Sequence, residues 1–338
     1  MHRQRLSRPE RSSNLIVKSI GHYSEWLIDK VATASIGVAP LALGAGIYSA
    51  AIGHWLMAIG LFILAVLASI GIYARFITPW QLRVKTLAPD DLGSFVGPRS
   101  KSEKPKTIRI VFFSDLHLGL YKRQAWAQRV VDLVNAQSPD LVLIGGDLVG
   151  QTNCCDISEL LAPLGGLHAP LGVFAVLGNH DHGLPGPDHS GDLAELLPRL
   201  GVRLLCNECV QLQDDLRLVG VEEIWTDHDD LPGAMAACGD DSGRLLVLGH
   251  NPDLMLRIEQ DYADLNLDTR DAFFLFGHTH QGQIYLPFAP GAAIPIKSQY
   301  YRGIFHTPFG SFYVSSGLGE SGTPTRLGTW PEIVVFEA

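Results

Sequence analysis

The sequence predicts an α/β fold, layered sheets covered by helices, standing behind an N-terminal transmembrane helical hairpin. Three observations carry this. An uncharged stretch runs from residue 31 to residue 74. After residue 107, short apolar, β-branched runs recur, each ending abruptly in Gly, Asp, Asn or His. Helical segments near 123–137, 191–200 and 253–260 separate several of those runs.

The uncharged stretch is about twice the roughly 20 residues that one span requires, so two spans fit it better than one. They are placed near 32–52 and 55–75, with Gly53 and His54 in the turn and Trp55 and Tyr73 near the ends, where aromatic rings favour the membrane interface. The apolar core of a cleaved signal peptide is shorter than this, at about 7–15 residues. Residues 14–30 form a separate amphipathic segment lying on the membrane. Arg3, Arg5, Arg8, Arg11, Lys18 and Lys30 precede the hairpin; Arg75, Arg83, Lys85 and further basic residues follow it, and the turn has none. The positive-inside rule then puts both ends in the cytoplasm. The expected organisation is a basic segment over 1–30, the hairpin over 31–76, a Pro-, Gly-, Ser- and Lys-rich linker over 77–106 and a catalytic domain over 107–338.

In that domain, run 108–114 leads into Asp115-Leu-His117 and run 140–144 into Gly145-Gly146-Asp147. Run 173–177 leads into Gly178-Asn179-His180-Asp181, 245–248 into Gly249-His250, and 272–276 into Gly277-His278-Thr279-His280. Continuous apolar runs of this length suit strands buried on both faces. In α/β sheets ligands collect beyond the carboxyl ends of the strands. All five polar endings fall there, so they converge on one site despite wide sequence separation. Runs 216–222, 310–315 and 332–337 read as further strands.

Asp115, His117, Asp147, Asn179, His250, His278 and His280 combine imidazoles, carboxylates and one amide without a thiolate. A lone His after a strand is ordinarily just a hydrogen-bonded residue; five such endings together point to metal. The mixed N/O set suits Mn, Fe or Zn better than Ca or Mg, which prefer oxygen. A bridging carboxylate holds two cations at the spacing of about 3.5–4 Å used in two-metal hydrolysis. Gly178, Gly249 and Gly277 precede these residues, where a turn with positive φ would need glycine.

The net charge of −9 argues against nucleic acid as a partner, because its phosphates are held by clustered Lys and Arg. It leaves a phosphorylated substrate open, since bound cations reverse the local field. Five cysteines with no regular framework suggest a reducing compartment. Cys206 and Cys209 have CxxC spacing but no second pair, and are read as ordinary thiols rather than as a metal or redox pair.

These five ordered motifs resemble those of the calcineurin-like metallophosphoesterase family, over roughly residues 107–338. The resemblance implies a four-layer α-β-β-α sandwich rather than one open sheet. It implies that Asp115, His117 and His280 hold one divalent metal, that Asn179, His250 and His278 hold the other, and that Asp147 bridges them, manganese being favoured. His180 would contact the phosphate and protonate the leaving oxygen, oriented by Asp181. The tail Ser316-Gly-Leu-Gly-Glu-Ser-Gly322 and Pro331-Glu-Ile is similar to that of a membrane-associated branch. Two departures are Gly150, where many relatives have an acid, and Gln281, where Gly is usual; the second is expected to alter the pocket wall.

One activity of that branch is cleavage of UDP-2,3-diacylglucosamine in lipid A synthesis. The leading expectation is therefore a phosphoester or pyrophosphate hydrolase acting on a lipid-linked substrate at the cytoplasmic face of a bacterial inner membrane. Membrane lipids would be its surroundings. The apolar segments 284–288 and 294–309 would form an acyl-binding surface or, as the plainer alternative, a β-hairpin packed on the core. Arg302 and Arg326 are candidate phosphate contacts. A general phosphodiesterase for soluble esters, with the hairpin only for localisation, is the alternative. A non-catalytic scaffold is disfavoured, because every ligand and His180 are present.

Overall fold

The computed structural model describes residues 15–96, 107–150, 155–239, 243–262, 269, 271–285 and 299–338, of which 15–28 by backbone alone. Nothing between residues 15 and 51 supplies a turn, and α1 runs unbroken over Leu15–Ala51. The segment expected to lie separately on the membrane is thus its first part. Gly53, at φ +83°, makes the turn, and α2 follows over Trp55–Ile72. A π-turn, Tyr73–Ile77, and a 3₁₀ turn, Thr78–Trp80, complete this arm. Asp29–Ala51 and Trp55–Trp80 are long and apolar enough to cross a membrane. Leu41, Leu56 and Leu67 project from them unburied.

The expected linker is only partly one. Arg83–Thr86 forms β1 and pairs in parallel with β12, Glu332–Glu337. Leu87, Leu92 and Phe95 then enter the core. Three apolar side chains in a Pro- and Asp-containing segment have a place to be buried, and burial outweighs its loop-like composition. Residues 97–106 lie outside the described residues.

Two six-stranded sheets stack face to face. Sheet 1 has the order β1-β12-β2-β3-β4-β5, where β2 is Arg109–Phe113, β3 Leu141–Gly145, β4 Val173–Val176 and β5 Val202–Leu204. Sheet 2 has the order β10-β11-β9-β8-β7-β6. Its strands are β6 Glu208–Gln213, β7 Leu216–Gly220, β8 Arg244–Leu248, β9 Ala272–Phe276, β10 Gly303–Thr307 and β11 Gly310–Val314. The central strands of both sheets are parallel.

Alternation along each strand explains the layers. Ile110 and Phe112 face Leu246, Leu248, Phe273 and Leu275 in the core between the sheets. Val111 and Phe113 face outward onto α3, Gln124–Asn135, α4, Ile157–Leu161, and α5, Ser190–Arg199, through Val130, Val134, Leu161 and Leu193. Val247 and Phe274 face α6, Leu231–Ala236, and α7, Leu254–Gln260. Strands buried on both faces must be apolar throughout, and helices on both outsides complete the expected α-β-β-α sandwich.

Cys209 on β6 is bonded to Cys238 beyond α6, while Cys206 is a free thiol. The reading of Cys209 as an ordinary thiol fails, because it pairs with Cys238 across a separation of 29 residues that no spacing signal marks. A disulfide belongs to oxidising surroundings, against the reducing compartment suggested by the odd count.

Candidate metal centre

The five polar endings do meet. They follow β2, β3 and β4 of sheet 1 and β8 and β9 of sheet 2, at one end of the sandwich, and every candidate ligand is buried. The ligand-type atoms of Asp115, His117 and His280 lie within 4.8 Å of one another, as do those of Asp147, His250 and His278. His117 Nε2 is 3.1 Å from His280 Nε2, and His280 Nε2 is 3.8 Å from Asp115 Oδ1. In the other group, Asn179 Oδ1 is 2.7 Å from His278 Nδ1 and 3.2 Å from His250 Nε2.

Asp147 stands between the groups. Its Oδ1 accepts the His180 amide at 2.8 Å. Its Oδ2 is buried and accepts no hydrogen bond, yet lies 3.5 Å from His117 Nε2 and 3.3 Å from His250 Nε2. A buried carboxylate oxygen without a donor is costly, and bound cations would satisfy it. The donor set therefore fits a dinuclear metal site.

Neighbouring groups aim the ligands. His250 Nδ1 is 2.7 Å from Gly145 O, and His280 Nδ1 is 3.1 Å from Gly319 O. A carbonyl only accepts, so Nδ1 carries the proton in each ring and Nε2 turns its lone pair inward. Asn179 Nδ2 donates to Leu184 O, which directs Oδ1 inward. Burial pushes His117 down to about 3 and, with the His117 ring opposite, holds His280 well below the usual imidazole range. Both are thus neutral, the form that binds metal. Burial opposes charge on Asp147, but the His250 imidazole beside it holds the carboxylate well below its usual range. Burial raises Asp115 to about 6.

The glycines serve differently than expected. Gly178, Gly249 and Gly277 do not have positive φ; five of the seven candidate ligands do, with Asp115 at 53°, His117 at 44°, Asp147 at 52°, His278 at 68° and His280 at 49°. Gly178 and Gly277 are needed for room, since a Cβ there would collide with the side chains of Asp147 and Asp115 respectively. Strained backbone at so many ligands is the mark of a site held by its surroundings.

His180 lines the open side of the centre, and its ring packs edge-on against His117 at 4.8 Å. The expectation that Asp181 orients this ring is not met. Asp181 Oδ2 accepts the Gly178 and Leu148 amides at 2.9 and 3.3 Å, and Oδ1 accepts Val149 at 3.1 Å. Those bonds tie the third motif to the second, leaving no oxygen aimed at the imidazole. Burial raises Asp181 to about 7.

A pocket of about 420 Å³ opens over the centre, walled also by Trp225, Gln283, Ile284 and Ser321. Trp225 packs edge-on against His278 at 4.7 Å. It sits in an unpatterned turn, and no sequence signal marks it. Gln281 adopts the left-handed conformation, φ 51°, that glycine would take more easily. Its amide donates to Val314 O, away from the pocket, so the wall is not altered by it.

Neither predicted phosphate contact lines this pocket. Arg302 lies over the Tyr285 ring at 4.3 Å. Arg326 is fully buried; it bonds Glu320 at 2.7 Å, Ser316 O at 2.9 Å, and the carbonyls of Gly317 and Gly319. Lys122 joins the same cluster through Glu320 at 3.0 Å and Leu318 O at 2.6 Å, and burial pushes its ammonium down to about 8. Arg326 thus fixes the loop whose Gly319 carbonyl holds His280. Of the expected acyl-binding surface, 286–298 lies outside the described residues. Phe305 and Tyr300 pack on Phe312, as the hairpin alternative has it.

The model of the calcineurin-like phosphoesterase family matches residues 108–282, and the chain belongs to that family. It is 30% identical over 276 residues to the uncharacterized metallophosphoesterase YkuE of Bacillus subtilis strain 168, covering 78% of this chain and 88% of that one. It is 33% identical to a transmembrane protein with metallophosphoesterase domain from Bos taurus, covering 67% of this chain but about half, 52%, of that one. It is 30% identical to the phosphodiesterase YaeI of Escherichia coli K12, covering 68% of this chain and 82% of that one. The protein is a metal-dependent phosphoesterase that associates with membranes through its two apolar helices.

Proposed function

We propose that the protein is a two-metal hydrolase of phosphodiesters or pyrophosphates carried by lipid-linked molecules, of which UDP-2,3-diacylglucosamine is one type. Asp147 Oδ2, unsatisfied between two imidazole groups, carries the two-metal part. Asp115, His117 and His280 would hold one ion, Asn179, His250 and His278 the other, with Asp147 shared. When bound, such a pair supplies an activated water and charge compensation at the phosphoryl oxygens. His180, on the pocket side of the centre, holds the proton for the leaving oxygen. Burial lowers its pKa, so the imidazolium, protonated from solvent as the substrate's negative charge arrives, gives up its proton readily. Asp181 acts indirectly, by fixing the loop that carries Asn179 and His180. Trp225 and Gln283 bound the substrate's position.

The mixed N/O set supports manganese, iron or zinc, with manganese preferred. The organisation proposed is an anchor ending near residue 80 and a catalytic unit from about residue 82 onward. The basic residues flanking the helices support a cytoplasmic catalytic unit, at an inner membrane if the source is bacterial. The Cys209–Cys238 bond favours the opposite side, and proteolysis of sealed cells separates the two readings.

The test is a screen of purified full-length protein, with each metal, against phosphomonoesters, phosphodiesters and lipid pyrophosphates. Metal-dependent turnover of a lipid ester or pyrophosphate is expected. Turnover of soluble esters alone would leave the hydrolase and remove the lipid. His180→Ala should keep its metal and lose roughly 10²–10⁴-fold in turnover, the scale of general acid catalysis; undiminished turnover would remove the assigned role.

A further inference from the structure

We infer that a groove between α1 and α2 is the acyl-chain subsite of the catalytic pocket, so that anchor and catalytic unit bind one lipid between them. The inference rests on the lipid-linked reading above and names the part of the molecule that recognises the chain.

The groove measures about 500 Å³. Ala39, Pro40 and Leu43 of α1 and Phe62, Ala65 and Ile70 of α2 form its walls. Both walls belong to the membrane-crossing spans, so the groove opens into hydrocarbon. Its occupant must be an aliphatic chain, the material that surrounds it. An ordinary helix pair would offer such a groove to any bilayer lipid. Here Leu327, a residue of the catalytic unit, lines the groove together with the two helices.

Leu327 connects the groove to the chemistry. It forms a parallel bridge with Ile284; its amide donates to Gln283 O at 3.1 Å, and its carbonyl accepts from Tyr285 at 2.8 Å. Gln283 and Ile284 line the metal pocket. The paired segments of such a bridge lie about 5 Å apart. One strand of this bridge therefore meets the groove, through Leu327, and the other meets the metal centre, through Gln283 and Ile284. The loop is docked on the base of the anchor: the Arg326 amide donates to Ala74 O at 2.8 Å, and Arg75 reaches Pro324 O at 3.4 Å. Arg75 is itself paired with Asp29 at 2.8 Å.

Surface hydrophobicity points the same way. Among the described residues from 107 onward, the exposed large apolar side chains are Leu120, Tyr121 and Ile284. Leu120 and Tyr121 follow the first motif, and Tyr121 lies 5.4 Å below the Arg75 guanidinium. Ile284 stands at the rim of the metal pocket, and Tyr121 stands at the base of the anchor. A lipid with its chain in the groove has its phosphate delivered across this rim. The chemical class is a single- or multi-chain lipid with a phosphodiester or pyrophosphate at its head.

The experiment uses full-length, metal-loaded protein in mixed detergent micelles and two probes of identical chemistry, nitrophenyl hexadecyl phosphate and nitrophenyl methyl phosphate. Wild type should prefer the hexadecyl ester. Ala65→Trp and, separately, Leu43→Trp fill the groove; each should lower kcat/KM for the hexadecyl ester by about tenfold or more, the loss that excluding a few methylene groups produces. The methyl ester should change by less than about twofold, well inside that effect. A hexadecyl ester carrying a diazirine in its chain should label groove residues in metal-free protein, a readout that needs no turnover and stands if a filled variant misfolds. Labelling spread evenly along both helices identifies ordinary bilayer lipid and overturns the inference. Hexadecyl preference unaffected by filling overturns the groove alone. No chain preference in wild type removes the lipid-linked reading with it, and no turnover of either ester removes the hydrolase assignment itself.

Discussion

The two sheets contribute unequally to the metal centre. Loops of sheet 1 bring both carboxylates, the amide and one imidazole of the candidate ligands; loops of sheet 2 bring the other three imidazoles. Yet neither three-residue group belongs to one sheet. Asp115 and His117 of sheet 1 meet His280 of sheet 2 at 3.8 and 3.1 Å. Asn179 of sheet 1 meets His250 and His278 of sheet 2 at 3.2 and 2.7 Å. Sheet 1 supplies the carboxylates, sheet 2 supplies most of the imidazoles, and the site exists only where they are pressed together. Its geometry is thus a property of the core between the sheets.

Asp147→Asn is the sharpest way to break this division. It removes the one charge that faces both groups, so both ions should be lost and turnover should fall beyond the roughly 10–100-fold typical of outer-shell changes. Metal analysis of the purified variant checks it, and retention of two ions per chain would contradict the shared role. His250→Ala should do less, because it empties one group only. One ion per chain should remain, held by Asp115, His117 and His280, with much weakened hydrolysis.

Arg326→Gln comes next. The guanidinium is sealed from solvent and holds the carbonyl that orients His280. We expect a loss of roughly 10–100-fold in metal affinity at that group, the usual scale for such supports, and unaltered affinity at the other. Equal weakening of both would show a general loosening of the fold instead.

What the sequence disclosed follows the same line. Each motif is short and local, so Asp115-Leu-His117 and its four counterparts can be read from strand endings. Their division between two sheets cannot, because continuous apolar strands look alike whichever sheet they join. The family resemblance, not the periodicity, carried the expectation of a sandwich. Trp225 was invisible because its neighbourhood has no pattern. Arg326 misled because a basic residue beside glycines suits a phosphate as well as it suits backbone carbonyls. Gly178 and Gly277 were rightly marked and wrongly explained: crowding by carboxylates requires them, and the strain falls on the ligands themselves. The anchor was the most legible part, since uncharged length is a direct physical requirement. Its continuation through β1 into sheet 1 was hidden by loop-like composition.

The smallest expected effect on chemistry separates the two kinds of core. Leu246 lies between the sheets and Leu193 lies between sheet 1 and α5, both fully buried. Truncating either to alanine should cost about 2–5 kcal/mol of stability through lost burial and a cavity. The stability losses are therefore similar, and thermal or denaturant unfolding measures them. Metal affinity should differ. Leu246→Ala leaves a void where the two halves of the centre are braced, and should weaken metal binding at temperatures where the protein is still folded. Leu193→Ala should leave affinity unchanged under the same conditions, because the inter-sheet spacing is intact. Equal affinities in the two variants would mean that the motif loops hold the metals by themselves, and that the packing of the sheets only brings them into range.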